Sequence, residues 1–178
     1  MVSLKPRLYG WGFLFLLAMS TLKEHQKFMR MAIRLSEKNV EEAKGGPFGA
    51  VIVKNGKLIA KSANKVTLTN DPTAHAEVSA IRLACKKLQT FDLSGCVIYT
   101  SCEPCPMCLG AIYWARLDTI YYANTKTDAA AIGFDDQFIY EELEVTMQER
   151  KLPIVQIMRQ EALVAFKKWG NSPLKIEY

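Results

Sequence analysis

A chain of 178 residues with 49% hydrophobic residues and a formal net charge of +5 has the material for one domain with a substantial core. Its lysines and arginines are dispersed among acids, with no basic run of the kind that tracks phosphates, so no nucleic-acid partner is expected. Five cysteines, an odd number, argue against a disulfide framework and for a reducing, cytoplasmic setting, and no repeat or low-complexity tract divides the chain.

The leading segment, residues 1–19, places Lys5 and Arg7 before an apolar run from Trp11 to Ala18 and superficially resembles the front of a signal peptide. The run is too short to span a bilayer, so no membrane partner is expected. No convincing small-x-small cleavage site follows, and Met19-Ser20-Thr21 reads as a natural start. Residues 1–19 are therefore taken as an extension or an upstream start, with secretion as the alternative, and residues 20–178 as one domain.

Thr21-Leu22-Lys23-Glu24 is a capping box, and Phe28, Met31, Ala32 and Leu35 form the apolar stripe of an amphipathic helix reaching about Ala43. His25, on its first turn, has no partner visible in the sequence and reads as exposed. Gly45-Gly46-Pro47 breaks the helix. A strand is predicted from Phe48 to Val53, a hairpin turn at Asn55-Gly56, and a returning strand from Lys57 to Ala63. Asn70-Asp71-Pro72-Thr73 is turn and cap chemistry ahead of a helix from Ala74 to Leu88. A strand at Cys96 to Thr100 precedes a helix opened by Pro104 or Pro106, and a strand follows at Thr119 to Ala123. Helices near Gln137 to Leu143 and Arg159 to Trp169 flank a last strand at Pro153 to Met158. Alternating strands and helices imply parallel pairing with helices on both faces, hence a three-layer α/β/α domain of about five strands, both chemistry-bearing helix starts lying at one rim.

Those two helix starts hold the informative residues. His75, Cys105 and Cys108 are three metal ligands, one short of the four a structural zinc needs, so one tetrahedral position stays open. Glu77, two residues from His75, does not share its helix face, which suits a carboxylate beside the metal that carries protons. Cys105 and Cys108, at i and i+3, share a face at a helix start whose positive end stabilises thiolates. Cys85 and Cys96 read as small core residues, and Cys102 lies close enough to the site to be noted. A redox dithiol or a satisfied core histidine would explain either half of the pattern alone, but not both halves together with Glu77 and the prolines.

His75-Ala76-Glu77 with Pro104-Cys105-Pro106-Met107-Cys108 is the signature of the zinc-dependent base deaminases. From about Phe28 to Tyr178 the chain resembles the cytidine deaminase-like superfamily, and within it the bacterial guanine deaminases. Gly45 to Ala50, Asn70 to Glu77 and Thr100 to Cys108 are stretches shared with tRNA adenosine and cytosine deaminases, while Gly133-Phe134-Asp135-Asp136 and terminal Tyr178 point to guanine. The resemblance implies a cytidine deaminase-like fold with a mixed sheet of about five strands, one zinc ion per subunit, and hydrolysis of guanine to xanthine and ammonia with Glu77 as proton carrier. It also implies that Asn64 hydrogen-bonds the purine, that Phe48 and Trp114 wall it, and that Asp136, or Asp135 beside it, meets its donor-rich edge or assists proton transfer. Alone, Asn64 reads equally as a strand-closing turn residue, Phe48 as core, and the Asp135-Asp136 pair as a helix cap. The tail, residues 170–178, reads by itself as a loose end; the resemblance implies that it crosses to a second subunit of a homodimer, where Tyr178 closes the site. Guanosine, cytosine and tRNA adenosine remain alternative substrates, and a zinc-stabilised binding module remains the non-enzymatic alternative.

Overall fold

The computed structural model describes residues 10–134 and 136–177, with side chains from residue 21 onward. The expectations for residues 1–9, Asp135 and Tyr178 lie outside the described residues.

The first helix, α1 (Gly10–Glu41), starts well before the predicted capping box at Thr21. Residues 11–18 hold no proline or glycine beyond Gly12, and extending an existing helix through leucines and alanine costs far less than nucleating a new one. No helix among the described residues is long and apolar enough to cross a membrane. β1 (Gly49–Lys54) and β2 (Lys57–Ala63) form the predicted hairpin, and Asn55 and Gly56 both take positive φ at its turn, as a two-residue primed turn demands. The remaining elements are α2 (Val66–Thr69), α3 (Ala76–Leu88), β3 (Cys96–Cys102), α4 (Pro106–Trp114), β4 (Thr119–Asn124), α5 (Lys126–Ala131), α6 (Gln137–Glu144) and α7 (Arg159–Gly170).

The sheet order is β2-β1-β3-β4. Only β3 and β4 pair in parallel; β1 is antiparallel to both β2 and β3. The crossover from β2 through α3 does return β3 in the direction of β2, but β1 lies between them, so both of its ladders are antiparallel and the sheet is mixed. Among the described residues it has four strands, not about five. Residues 153–158 form no ladder: Pro153 has no N–H to give, and Ile154, Val155 and Ile157 stay exposed.

Side chains of β1 alternate between two cores. Val51 and Val53 face α1, joining Phe28, Ala32 and Tyr99. Ala50 and Ile52 face α3 and α4, joining Ala76, Ala80, Ala84, Ile98 and Ile112. The result is the three-layer α/β/α arrangement. His25 is half-buried in the α1 layer: its Nδ1 lies 2.7 Å from the Tyr99 hydroxyl, and its ring packs 4.4 Å from that of Tyr121. Its partners lie 74 and 96 residues away in sequence, which is why it reads as exposed from local pattern.

Gly49 is where α1 meets the sheet most closely. A Cβ there would overlap the carbonyl of Ala32 and lie 2.8 Å from Leu35 Cβ. Gly49→Ala should therefore lower stability by about 1–3 kcal/mol, the usual cost of overpacking, read as a reduced urea midpoint at unchanged m-value.

Candidate active site

His75 and Cys105 occupy equivalent places: each is the N-cap of its helix, α3 and α4, with φ of −64° at both. Neither side chain caps its own helix. Both are turned instead toward a common point, and Cys108, on the first turn of α4, completes the group from beneath, fully buried. His75 Nδ1 lies 3.6 Å from Cys105 Sγ and 3.5 Å from Cys108 Sγ. Tetrahedral zinc with Zn–S of about 2.3 Å and Zn–N of about 2.0–2.1 Å requires S···N separations of about 3.6 Å. The triad therefore fits the ion, and it is the one such cluster of three among the described residues.

Electrostatics between the ligands follow from their proximity. The Cys105 thiol is pulled down to about 4, chiefly by a hydrogen bond from Cys108 and then by His75. Cys108 is pushed up because it holds the proton it donates to Cys105. His75 is raised, first by its hydrogen bond with Cys105. A dication placed among the three replaces these shared protons.

Glu77, at the second position of α3, is buried, and its two carboxylate oxygens meet different partners. Oε1 is 3.1 Å from the Thr100 hydroxyl, which also lies 2.9 Å from the Cys102 carbonyl; Oε2 is 3.5 Å from Cys108 Sγ. Desolvation raises the Glu77 carboxyl above the usual carboxylate range. Cys102 is no ligand: its thiol points to the Thr125 carbonyl at 3.5 Å and burial pushes it up to about 11.

Above this floor lies a cavity of about 430 Å³, lined by Phe48, Asn64, His75, Glu77, Cys105 and Asp136 among the residues singled out from the sequence. Phe48 faces the cavity, with its ring edge-on to Phe134 at 4.9 Å. Asn64 closes the turn, its Oδ1 accepting the Val66 N–H at 3.1 Å, and its buried side chain lines the cavity. Asp136 precedes α6 without its side chain capping that helix. Trp114, at the end of α4 and 65% exposed, is not brought to the cavity of its own chain. Asp135 and Tyr178 lie outside the described residues.

Sequence reasoning missed Val66, Thr67, Glu103, Lys126 and the wall formed by Phe134. Phe134 sits in a motif already singled out, and Thr125 with Asp128 forms a capping box that would have announced α5, the helix carrying Lys126. Thr100 carries no local signal, because its partner Glu77 is 23 residues away.

Residues 22–124 match the cytidine and deoxycytidylate deaminase zinc-binding region. The chain belongs to that family. Within the cytidine and deoxycytidylate deaminase fold it is similar to the guanine deaminase of Bacillus subtilis (strain 168), 54% identical over 154 residues that make up 86% of this chain and 99% of the relative. The X-ray structure of guanine deaminase from Bacillus subtilis superposes with a TM-score of 0.84, covering 86% of this chain and 98% of that one. A tRNA-specific adenosine deaminase of Agrobacterium fabrum is 38% identical over 111 residues, 62% of this chain and 72% of the relative. Zinc is the ion of this family's site, and the His75, Cys105 and Cys108 triad has the donor set and spacing for it.

Cys108→Ala should abolish stoichiometric zinc and reduce thermal stability, since metal affinity and folding are coupled. Metal analysis alongside thermal denaturation checks both. Stripping of zinc from the unsubstituted protein by chelator should quicken as pH falls, because protons compete for the same three ligand atoms.

Proposed function

We propose that this protein is a zinc-dependent guanine deaminase, hydrolysing guanine to xanthine and ammonia. The observation that carries the reading is the buried Glu77 carboxylate beside a three-ligand zinc cluster at the floor of a purine-sized cavity. The choice of guanine among bases is supported by the 54% identity to the Bacillus subtilis guanine deaminase over nearly its whole length.

In this reading His75 Nδ1 and the thiolates of Cys105 and Cys108 hold the zinc. Bound there, zinc supplies Lewis-acid activation of a water near neutral pH. Glu77 performs the proton work. It takes a proton from the attacking water and delivers it to guanine N3, which makes C2 electrophilic. The water oxygen bonds to C2, which becomes tetrahedral; as C2 then collapses to a carbonyl, Glu77 passes the water's second proton to the amine, the C2–N bond breaks, and ammonia leaves. Burial favours this role, because a carboxyl raised by desolvation holds a proton long enough to hand it on.

The base is held by the cavity walls. With Oδ1 of Asn64 engaged by Val66, its NH₂ is the group left for the base, a donor suited to guanine's O6 and N7 acceptors and opposed to the amino group that adenine carries at position 6. Phe48 packs on the ring, and Asp136 meets the donor-rich edge or assists proton transfer, with Asp135 in the same motif as the alternative.

The working unit in this reading is a homodimer. Val164, Phe166 and Trp169 on α7, together with Leu174 and Ile176 beyond it, are exposed apolar side chains on an arm that would leave this surface to water in a single chain. An arm crossing to the partner buries them, carries Tyr178 to the partner's site, and gives Trp114 its wall position across the pair. Residues 1–19 precede the family match, which begins at residue 22, and are taken as an extension to the deaminase domain. Five cysteines, two of them assigned to zinc and the other three an odd number, support a reducing, cytoplasmic location.

Ammonia release by zinc-replete protein should be seen with guanine, and not with guanosine, cytosine, adenine or a tRNA anticodon stem-loop. Turnover of another member instead would retain the zinc chemistry and overturn the guanine reading; silence on all would favour a zinc-stabilised binding module. Glu77→Gln should keep its zinc and lose turnover by about 10²–10⁴-fold, the usual contribution of general acid–base catalysis. Deleting residues 170–178 should cut turnover by about tenfold or more as the closing group is lost. Unchanged turnover would remove the tail from the site.

A further inference from the structure

Asn39, near the end of α1, does not line the cavity, yet its side chain reaches two residues that do. Its Nδ2 donates to the carbonyl of Gly46 at 2.9 Å and to that of Asn64 at 3.0 Å. Asn39 itself is 6% exposed, and both carbonyls belong to cavity-lining residues. A primary amide has two N–H donors on one nitrogen, one for each carbonyl. An aspartate there would set an acceptor against two acceptors, and an alanine would leave both carbonyls without this partner.

Main chain at Asn64 is held from a second side, by its own N–H donating to the Phe48 carbonyl at 2.9 Å. With the backbone held by Asn39 and Phe48, and Oδ1 by the Val66 N–H at 3.1 Å, the NH₂ of Asn64 has the cavity as its remaining direction. The neighbouring loop is shaped to let the clamp through. A Cβ at Gly45, whose φ is +155°, would lie 2.9 Å from the Asn64 carbonyl, 3.1 Å from Asn39 Nδ2 and 3.2 Å from Asn64 Oδ1. Any side chain at residue 45 would intrude on the clamp.

We propose that Asn39 is a positioning residue for substrate recognition: its amide fixes the backbone of Asn64 so that the Asn64 NH₂ meets the base in one orientation. The proposal rests on the reading that Asn64 contacts the base. Hence Asn39 acts on binding and discrimination through Asn64, and not on the proton chemistry of Glu77.

Two measurements on the full-length, zinc-loaded protein test this. In hydrogen exchange, Asn39→Ala should speed exchange at the Asn64 and Val66 amides by about tenfold while the α3 amides keep their protection. In guanine turnover, Asn39→Ala should raise KM about tenfold with kcat within about threefold, and add less than about twofold to KM when Asn64 is already alanine. Unchanged exchange at Asn64 and Val66 overturns the proposal whatever the substrate proves to be. So does an equal KM penalty in the Asn64→Ala background, which would mark Asn39 as a general support of the loop. Absence of guanine turnover by the unsubstituted protein counts against the proposed function, and the exchange comparison then decides on Asn39 alone. Should Asn39→Ala fail to fold, Asn39→Ser, which retains a donor, goes through the same comparisons.

Discussion

The convergence of two helix N-termini is the constraint on which the site depends. His75 and Cys105 are N-caps that do not cap: each has the extended backbone that opens a helix, and each gives its side chain to the metal position in place of its own N–H groups. Two consequences follow from that placement. The positive ends of α3 and α4 both point at the thiolates, favouring their charged form. Glu77, two residues into α3, is carried past the metal to a buried position where Thr100 of β3 meets it.

For α3 and α4 to meet in this way, both must pack closely on the sheet beneath them. Ala76, Ala80 and Ala84 present small side chains to the sheet, which lets α3 lie close over Ala50 and Ile52. On the opposite face Gly49 lets α1 approach with equal closeness. β1 is therefore squeezed between two helices, and its first residues leave directly into the cavity wall at Phe48. The same helix, α1, supplies Asn39 to the loop that precedes β1, so one outer-layer helix governs both the depth of the sheet and the shape of the pocket.

Beyond β4 the chain follows a different physical regime. β4 is the edge of the sheet, and the segments that follow bring Ala129, Gly133, Phe134 and Asp136 to the mouth of the cavity before the chain runs on into α7 with its apolar side chains exposed. The metal and proton machinery thus sits on the rigid, doubly packed part of the fold. The proposed recognition of the base falls to the loops around the cavity and to the arm.

What the sequence determined by itself was the chemistry and the local elements that carry it. His75, Cys105 and Cys108 declare themselves because metal ligation demands those residue types at those spacings, Glu77 stands beside them as the proposed proton carrier, and β1, its Asn55-Gly56 turn, β2, α3 and α4 follow from short-range periodicity and turn chemistry. Tertiary structure decided whatever depends on partners distant in the chain. It interleaved β1 between β2 and β3, so that the sheet is mixed; it left residues 153–158 without a ladder despite their β-branched, apolar content; it gave His25 to Tyr99 and Tyr121; and it placed Trp114 away from its own cavity. It also joined Asn39 to Gly46 and Asn64, and Thr100 to Glu77. A helix cap or a hairpin turn is a contract among neighbours and can be read locally, whereas a buried polar pair is set by how layers stack, and no local window contains both of its members.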